Sequence, residues 1–192
     1  MTTESQTYFR QYWSQGLGYE EFLRRYANPD QRSRWHASKK ATALTEPQSA
    51  LLAGFSREMH VLVMAGAWCG DCVNQCPIFE AFAVATTKIQ LRYLDRDDVP
   101  ELAEQLEICG GRRVPTVVFL DEEGNHCGRY GDKTLSQFRK LAAELSGAAC
   151  STGLPIPADS LRPAIIQDWL DEFERIQLML RLSARLRQKH GD

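Results

Sequence analysis

Four consecutive apolar residues, Val61-Leu62-Val63-Met64, mark the point where the pattern along the chain changes period. Before them the apolar positions recur at helical spacing. Tyr19, Phe22, Leu23 and Tyr26 stand at i, i+3, i+4 and i+7, one stripe of an amphipathic helix. Asn28-Pro29-Asp30 breaks that pattern and opens a helix over residues 29–43. Glu46-Pro47 opens a third, with Leu51, Leu52 and Phe55 on its apolar side. Residues 1–58 are thus expected to form a helical N-terminal extension without strands.

The continuous apolar run predicts a strand buried on both faces. A turn follows at 66–69, then a helix over 71–87 that contains Pro77. The alternation of Ile89-Gln90-Leu91-Arg92-Tyr93-Leu94 predicts a second strand, parallel to the first across a right-handed crossover. A short helix at 101–107, a loop at 109–113 and a third strand at 116–120 come next. The turn residues of 121–125 make a hairpin with an antiparallel strand at 126–130. Leu135, Phe138, Leu141, Ala142 and Leu145 mark a closing helix. The order β-α-β-α-β-β-α over residues 59–147 predicts an α/β fold, a central mixed sheet flanked by helices. Residues 148–192 read as a linker, at 153–157, and one long helix over 163–189 with Asp159 or Ser160 as N-cap. Its apolar face, Ile166, Trp169, Leu170, Phe173, Ile176 and Leu180, either folds back on this chain or meets a second copy in a homodimer.

Composition narrows the function classes. Hydrophobic residues make up 43% and charged residues 25% of the 192, ordinary for a globular protein that builds its core without disulfides or metal. A net charge of −2 gives no argument for a nucleic-acid or anionic-membrane partner. The first residues lack the pattern of a secretory signal, and no apolar run approaches a membrane span. The expectation is a cytoplasmic protein, where six cysteines point to catalytic or metal chemistry rather than a disulfide framework.

Three of those cysteines fall within Gly66-Ala67-Trp68-Cys69-Gly70-Asp71-Cys72-Val73-Asn74-Gln75-Cys76-Pro77. A Cys-x-x-Cys between a buried strand and a helix places its first thiol at the helix N-terminus, where free N–H groups favour the thiolate. The second thiol, one turn on, can attack a mixed disulfide and release the reduced substrate. Cys69 is therefore the candidate attacking thiol and Cys72 the resolving one. A metal site would need a fourth ligand that the spacings do not supply, so no metal and no cofactor are expected. Cys76 reads as a small buried residue, and Cys109 as a core or helix-end residue. Cys127 and Cys150 carry no signal beyond packing or exposure.

Several separated features together resemble the thioredoxin superfamily. Trp68-Cys69-Gly70-Asp71-Cys72 looks like its active-site motif, and Pro77 like the proline that kinks the active-site helix. Val114-Pro115-Thr116 is similar to its cis-proline loop, and Gly131 to a glycine beside the substrate groove. The nearest resemblance is to a bacterial thioredoxin-like group with WCGDC, a helical N-terminal extension, an Arg-Asp segment such as Arg96-Asp97-Asp98 and a loop such as Gly110-Gly111-Arg112. The resemblance implies a thioredoxin-like fold with helical extensions and a thiol–disulfide oxidoreductase. Trp68, Val114, Pro115 and Gly131 would line a groove where an extended substrate pairs with backbone groups. It also implies a disulfide-containing protein or small molecule as substrate, and a reductase or low-molecular-weight thiol as electron donor.

Two positions depart from the family pattern. Where an acid usually lies beneath the dithiol stands Val63, and where its lysine partner usually lies stands Tyr93. Asp71 then has two readings: a first-turn acid that stabilises the helix, or a stand-in acceptor for the Cys72 proton. Arg112 and Arg113 are either solvated loop charges or positive charge set beside the dithiol. The rival functional class is a binding or adaptor module, whose extensions dock a partner and whose dithiol is regulatory.

Overall fold

The computed structural model describes residues 3–146 and 160–191. Helices α1 (Thr3–Gln15), α2 (Tyr19–Tyr26), α3 (Pro29–Lys40) and α4 (Glu46–Ala53) precede the first strand. Asn28 begins α3 and Thr45 begins α4 with reciprocal side-chain bonds to Gln31 and Gln48. Each such cap satisfies helix-end N–H groups that would otherwise be orphaned, a contribution of about 1 kcal/mol.

Strand β1 (Met59–Ala65) runs into α5 (Gly70–Ala85) and returns as β2 (Ile89–Asp95). The 3-10 turn Arg96–Asp98 and α6 (Pro100–Gln105) lead to β3 (Thr116–Leu120) and β4 (His126–Gly131), then α7 (Leu135–Ser146). The sheet order is β2-β1-β3-β4, with β1 parallel to β2 and antiparallel to β3. This is the α/β fold anticipated from the sequence. Beyond it lie α8 (Leu161–Leu182) and α9 (Ala184–His190). The single long helix expected there is two, because Ser183 leaves the helix (ψ 112) and accepts from the Leu186 N–H as the cap of α9. Ser160 precedes α8 without a side-chain cap bond, and Asp159, the 153–157 linker and Cys150 lie outside the described residues.

The N-terminal segment contributes one strand-like pairing that its helical pattern hides. Leu17 exchanges both backbone bonds with Tyr93 (2.9 and 2.8 Å), which covers part of the free edge of β2. Tyr19, Phe22 and Trp35 then form an aromatic cluster against Tyr93, with ring centroids 5.7–5.9 Å apart.

The C-terminal helix folds back on its own chain. Trp169 and Phe173 of α8 meet Phe79, Phe119 and Tyr130 at 4.5–5.8 Å, so the face offered for a homodimer is buried within this chain. Burying each such side chain contributes roughly 1.5–3 kcal/mol. Gln177 binds the backbone of Arg57 twice (2.8 and 2.9 Å), and Arg185 binds Asp121 and Glu123 beyond β3. The stripe that marks the closing helix, α7, is not buried: Leu135, Phe138, Leu141 and Leu145 are exposed, Leu145 to 88%. The aromatic residues of α8 occupy the sheet-facing position, and Asp168 of α8 accepts from the Ser136 N–H at the start of α7. Among the described residues no helix is long and apolar enough to cross a membrane.

Candidate active site

The end of β1 and the start of α5 place the first two cysteines. Cys69 is the N-cap of α5 in an extended conformation, and its carbonyl accepts from the Val73 N–H (3.0 Å). Its side chain is part-exposed, whereas Cys72, three residues into the helix, is 0% exposed. The two thiols lie close enough to shift each other's proton affinity. Cys69 Sγ also donates to the Val114 carbonyl at 3.4 Å. The Val114–Pro115 peptide bond is cis, and Thr116 Oγ1 holds its loop by donating to the Arg113 carbonyl (2.8 Å).

Both thiols hold their protons more tightly than ordinary cysteines. For Cys69 the bond to Cys72 comes first and burial second, while the N–H groups of Cys72 and Asp71 pull the other way. For Cys72 burial dominates, Cys76 adds to it, and Cys69 and the Gly66 N–H oppose it. The proton is shared by the pair, so its first loss belongs to the dithiol rather than to one residue. Backbone N–H groups can stabilise the Cys69 thiolate. Arg112 pairs with Glu104 and, at 4.0 Å, with Glu107.

The four residues expected to line a groove lie near this pair or the cis-proline loop beside it. Trp68 is 47% exposed, with the Arg96 guanidinium 4.7 Å over its ring. The indole lies on Gly66, where a Cβ would sit 2.7 Å from Trp68 Cε2. Gly131 has φ +147°, and a Cβ there would lie 2.3 Å from the Pro115 carbonyl oxygen. Only glycine allows β4 to pass so close to the cis-proline loop.

Asp71 is turned away from the thiols. Its carboxylate pairs with Lys133 Nζ (3.0 Å) and accepts from Gln137 Nε2 (3.3 Å). It ties the first turn of α5 to the segment after β4, which favours the helix-end reading over a proton acceptor. Val63 and Tyr93 are both fully buried. The Tyr93 hydroxyl donates to Glu80 Oε1 at 3.0 Å.

Cys76 is buried and raises the proton affinity of Cys72. Cys109, read as a core or helix-end residue, is instead exposed in a turn at φ +51°. Ile108 and Gly111 exchange backbone bonds across that turn, which holds Cys109 at its tip. Among the described residues no group of three or more His, Cys, Asp or Glu side chains could hold a metal ion.

The extensions reach the site from both sides, which sequence reasoning missed. Trp35 of α3 is fully buried, and its indole N–H donates to the Ala67 carbonyl (2.9 Å), one residue before Trp68. Trp169 of α8 donates to Gln75 Oε1 (2.8 Å), and Gln75 Nε2 donates to the Asp132 carbonyl (3.0 Å). Gln75 is a polar residue on the buried face of α5, and that mismatch was its only signal in the sequence.

A protein-family model described as thioredoxin matches residues 16–142, well over half the chain. The chain belongs to the thioredoxin family. Thioredoxin H5 of rice (Oryza sativa subsp. japonica) is 32% identical over 74 residues, covering 34% of this chain and 53% of that protein. The chain thus spans about half the length of the curated relative it matches. A Pseudomonas aeruginosa protein of unknown function superposes with a TM-score of 0.65 at 20% identity, over 84% of this chain and 94% of its own. An HIV epitope scaffold superposes with a TM-score of 0.67 at 19% identity, over 86% and 97%. At these identities the two structures share the fold.

Proposed function

We propose that this thioredoxin-family chain is a thiol–disulfide oxidoreductase. The Cys69 thiolate attacks a substrate disulfide, forms a Cys69–substrate mixed disulfide and expels the other substrate sulfur as thiolate. Cys72 then attacks Cys69, and the second substrate sulfur leaves with the electron pair of the broken bond. A reductase or low-molecular-weight thiol returns two electrons to the Cys69–Cys72 disulfide. The observation that carries this reading is the asymmetry of the contacting pair: a part-exposed thiol at the helix N-terminus, a fully buried one behind it. Trp68, Val114, Pro115 and Gly131 form the groove, in which the Val114 carbonyl accepts either the Cys69 thiol or a substrate N–H.

Raised proton affinities also favour a direction. A strongly oxidising dithiol owes its potential to a stabilised thiolate in the reduced form. Here burial disfavours thiolate formation at both cysteines, which supports reading the pair as a disulfide reductant. Turnover of an aryl disulfide by wild type, lost in Cys69→Ser, tests the assignment; equal rates in the two proteins would end it.

One observation favours a second reading, a binding module with a regulatory dithiol. The stripe Leu135, Phe138, Leu141 and Leu145 on α7 is exposed in a family whose chemistry does not require it. Partner binding retained in an inactive Cys69→Ser protein, with wild type equally inactive, would establish that reading.

A further inference from the structure

Gln75 is a wholly buried amide on α5, three residues after Cys72, and the exchange steps above make no use of it. Burying an amide is unfavourable unless both of its ends find partners. The two partners of this one lie on different elements. Its Oε1 accepts from Trp169 Nε1 of α8 at 2.8 Å, and its Nε2 donates to the backbone carbonyl of Asp132 at 3.0 Å. Trp169 is also fully buried, so one dry connection runs from the C-terminal helix to the end of β4.

That end of β4 is an uncommon piece of backbone. Gly131 and Asp132 both have positive φ, +147° and +32°. A residue with a side chain holds such a conformation only where its surroundings fix it. Gly131 pairs with Thr116 across the β3–β4 ladder and passes so near the Pro115 carbonyl oxygen that a Cβ would lie 2.3 Å from it. Pro115 follows Val114, whose carbonyl accepts from Cys69 Sγ at 3.4 Å. Gly131 and Asp132 thus form a wall on the far side of the cis-proline loop from the reactive thiol. Two bonds tie this wall to α5. Lys133 reaches Asp71 at 3.0 Å on a partly solvated rim, where water weakens the pair. The Gln75 bond lies in the interior, where it keeps its strength.

We propose that Gln75, held by Trp169, fixes the position of the Gly131–Asp132 wall and thereby sets how well the dithiol accepts a polypeptide disulfide relative to a small one. The proposal rests on the dithiol reading above. A small disulfide needs Cys69 and the space in front of it. A polypeptide also lays its backbone along the cis-proline loop and the wall beside it, so a displaced wall affects that substrate first. Gln75 touches neither the substrate nor the reacting sulfurs and is a positioning residue. Through Trp169 the C-terminal extension takes part in substrate selection as well as in the core.

The test sets two substrates against the same reduced full chain: a small aryl disulfide, and a linear peptide whose one cysteine carries the same aryl thiol in disulfide linkage. Both release one coloured thiolate, so their second-order rate constants are read in one way. Gln75→Met keeps the length of the side chain and loses the donor to Asp132. In it the ratio of the peptide rate to the aryl rate is expected to fall at least about fivefold. A merely structural role would lower the folded fraction and scale both rates together, leaving the ratio at its wild-type value. Gln75→Glu, whose buried carboxyl stays protonated and so keeps a donor, restores most of the ratio. Trp169→Phe lowers it in the same direction, and the two substitutions together do no more than Gln75→Met alone. A wild-type ratio in Gln75→Met overturns the proposal. Should that variant not fold, a wild-type ratio in Trp169→Phe overturns it equally. An aryl rate that Cys69→Ser leaves undiminished strikes the dithiol reading instead, and the two failures are thereby distinguished.

Discussion

Replacing Trp35 by Phe tests whether the N-terminal helices support the active-site loop. The indole is fully buried and donates from Nε1 to the Ala67 carbonyl at 2.9 Å. Phenylalanine keeps an aromatic ring against Tyr19 and Phe22 but leaves the carbonyl without this donor. A buried acceptor stripped of its partner costs about 1–3 kcal/mol. The smaller ring forfeits further packing, which brings the expected loss to about 2–4 kcal/mol. In a chain of this size that lowers the melting temperature by roughly 5–15 °C. Urea denaturation of the full chain gives the free energy, and the rate of Cys69 alkylation reports whether the loop has moved. A loss below about 0.5 kcal/mol, the level of an ordinary surface substitution, would refute the reasoning. So would a full loss with an unchanged alkylation rate, since the bond would then be stabilising without positioning the loop.

Other substitutions and titrations probe the same site. Gly131→Ala, which drives a Cβ toward the Pro115 oxygen, should cost at least about 2 kcal/mol by thermal unfolding and lower reductase activity. Asp71→Asn should cost no more than about 1 kcal/mol, because its bond to Lys133 is partly solvated, and should leave the pH profile of disulfide reduction unchanged. Because the Cys69 proton is held above its ordinary affinity, little thiolate exists at neutral pH, and alkylation should keep rising beyond pH 9. A plateau below pH 8 would show a thiolate stabilised by something the structure does not contain. Glu123 is pulled down to about 2, first by its bond to Lys189 and then by Arg185. Its folded affinity lies below its unfolded one, so its stabilisation is complete above about pH 5 and is lost as the pH falls toward 2. Lys189→Ala with Arg185→Ala should flatten that acid limb in pH-dependent unfolding.

The reactive elements were legible because short-range chemistry encodes them. A buried strand running into Trp68-Cys69-Gly70-Asp71-Cys72 leaves few placements for the cysteines, and the apolar run and hairpin signals located all four strands. What stayed hidden depends on which elements compete for one surface. The α7 stripe has the spacing of a core helix, but nothing local to it reveals that Trp169 and Phe173 of α8 take the sheet instead. Leu17 pairs with Tyr93 through backbone groups, which leave no side-chain signature. Glu80 sits on a helix whose period predicts a buried face. Its meeting with Tyr93 depends on the packing of α5 against β2. Asp71 drew notice because it stands between the cysteines, and Lys133, more than sixty residues away, decides which way it turns.

The most direct test of the central claim is a redox titration of the full chain in glutathione buffers, with thiols trapped and each cysteine quantified by mass spectrometry. The account predicts one two-electron transition, localised to Cys69 and Cys72, near the reducing end of a range of roughly −270 to −120 mV. Cys76 and Cys109 should stay reduced through it, and Cys69→Ser should abolish it. A transition near −120 mV would contradict the direction assigned to the dithiol. Cys69 and Cys72 remaining reduced throughout would contradict the account itself.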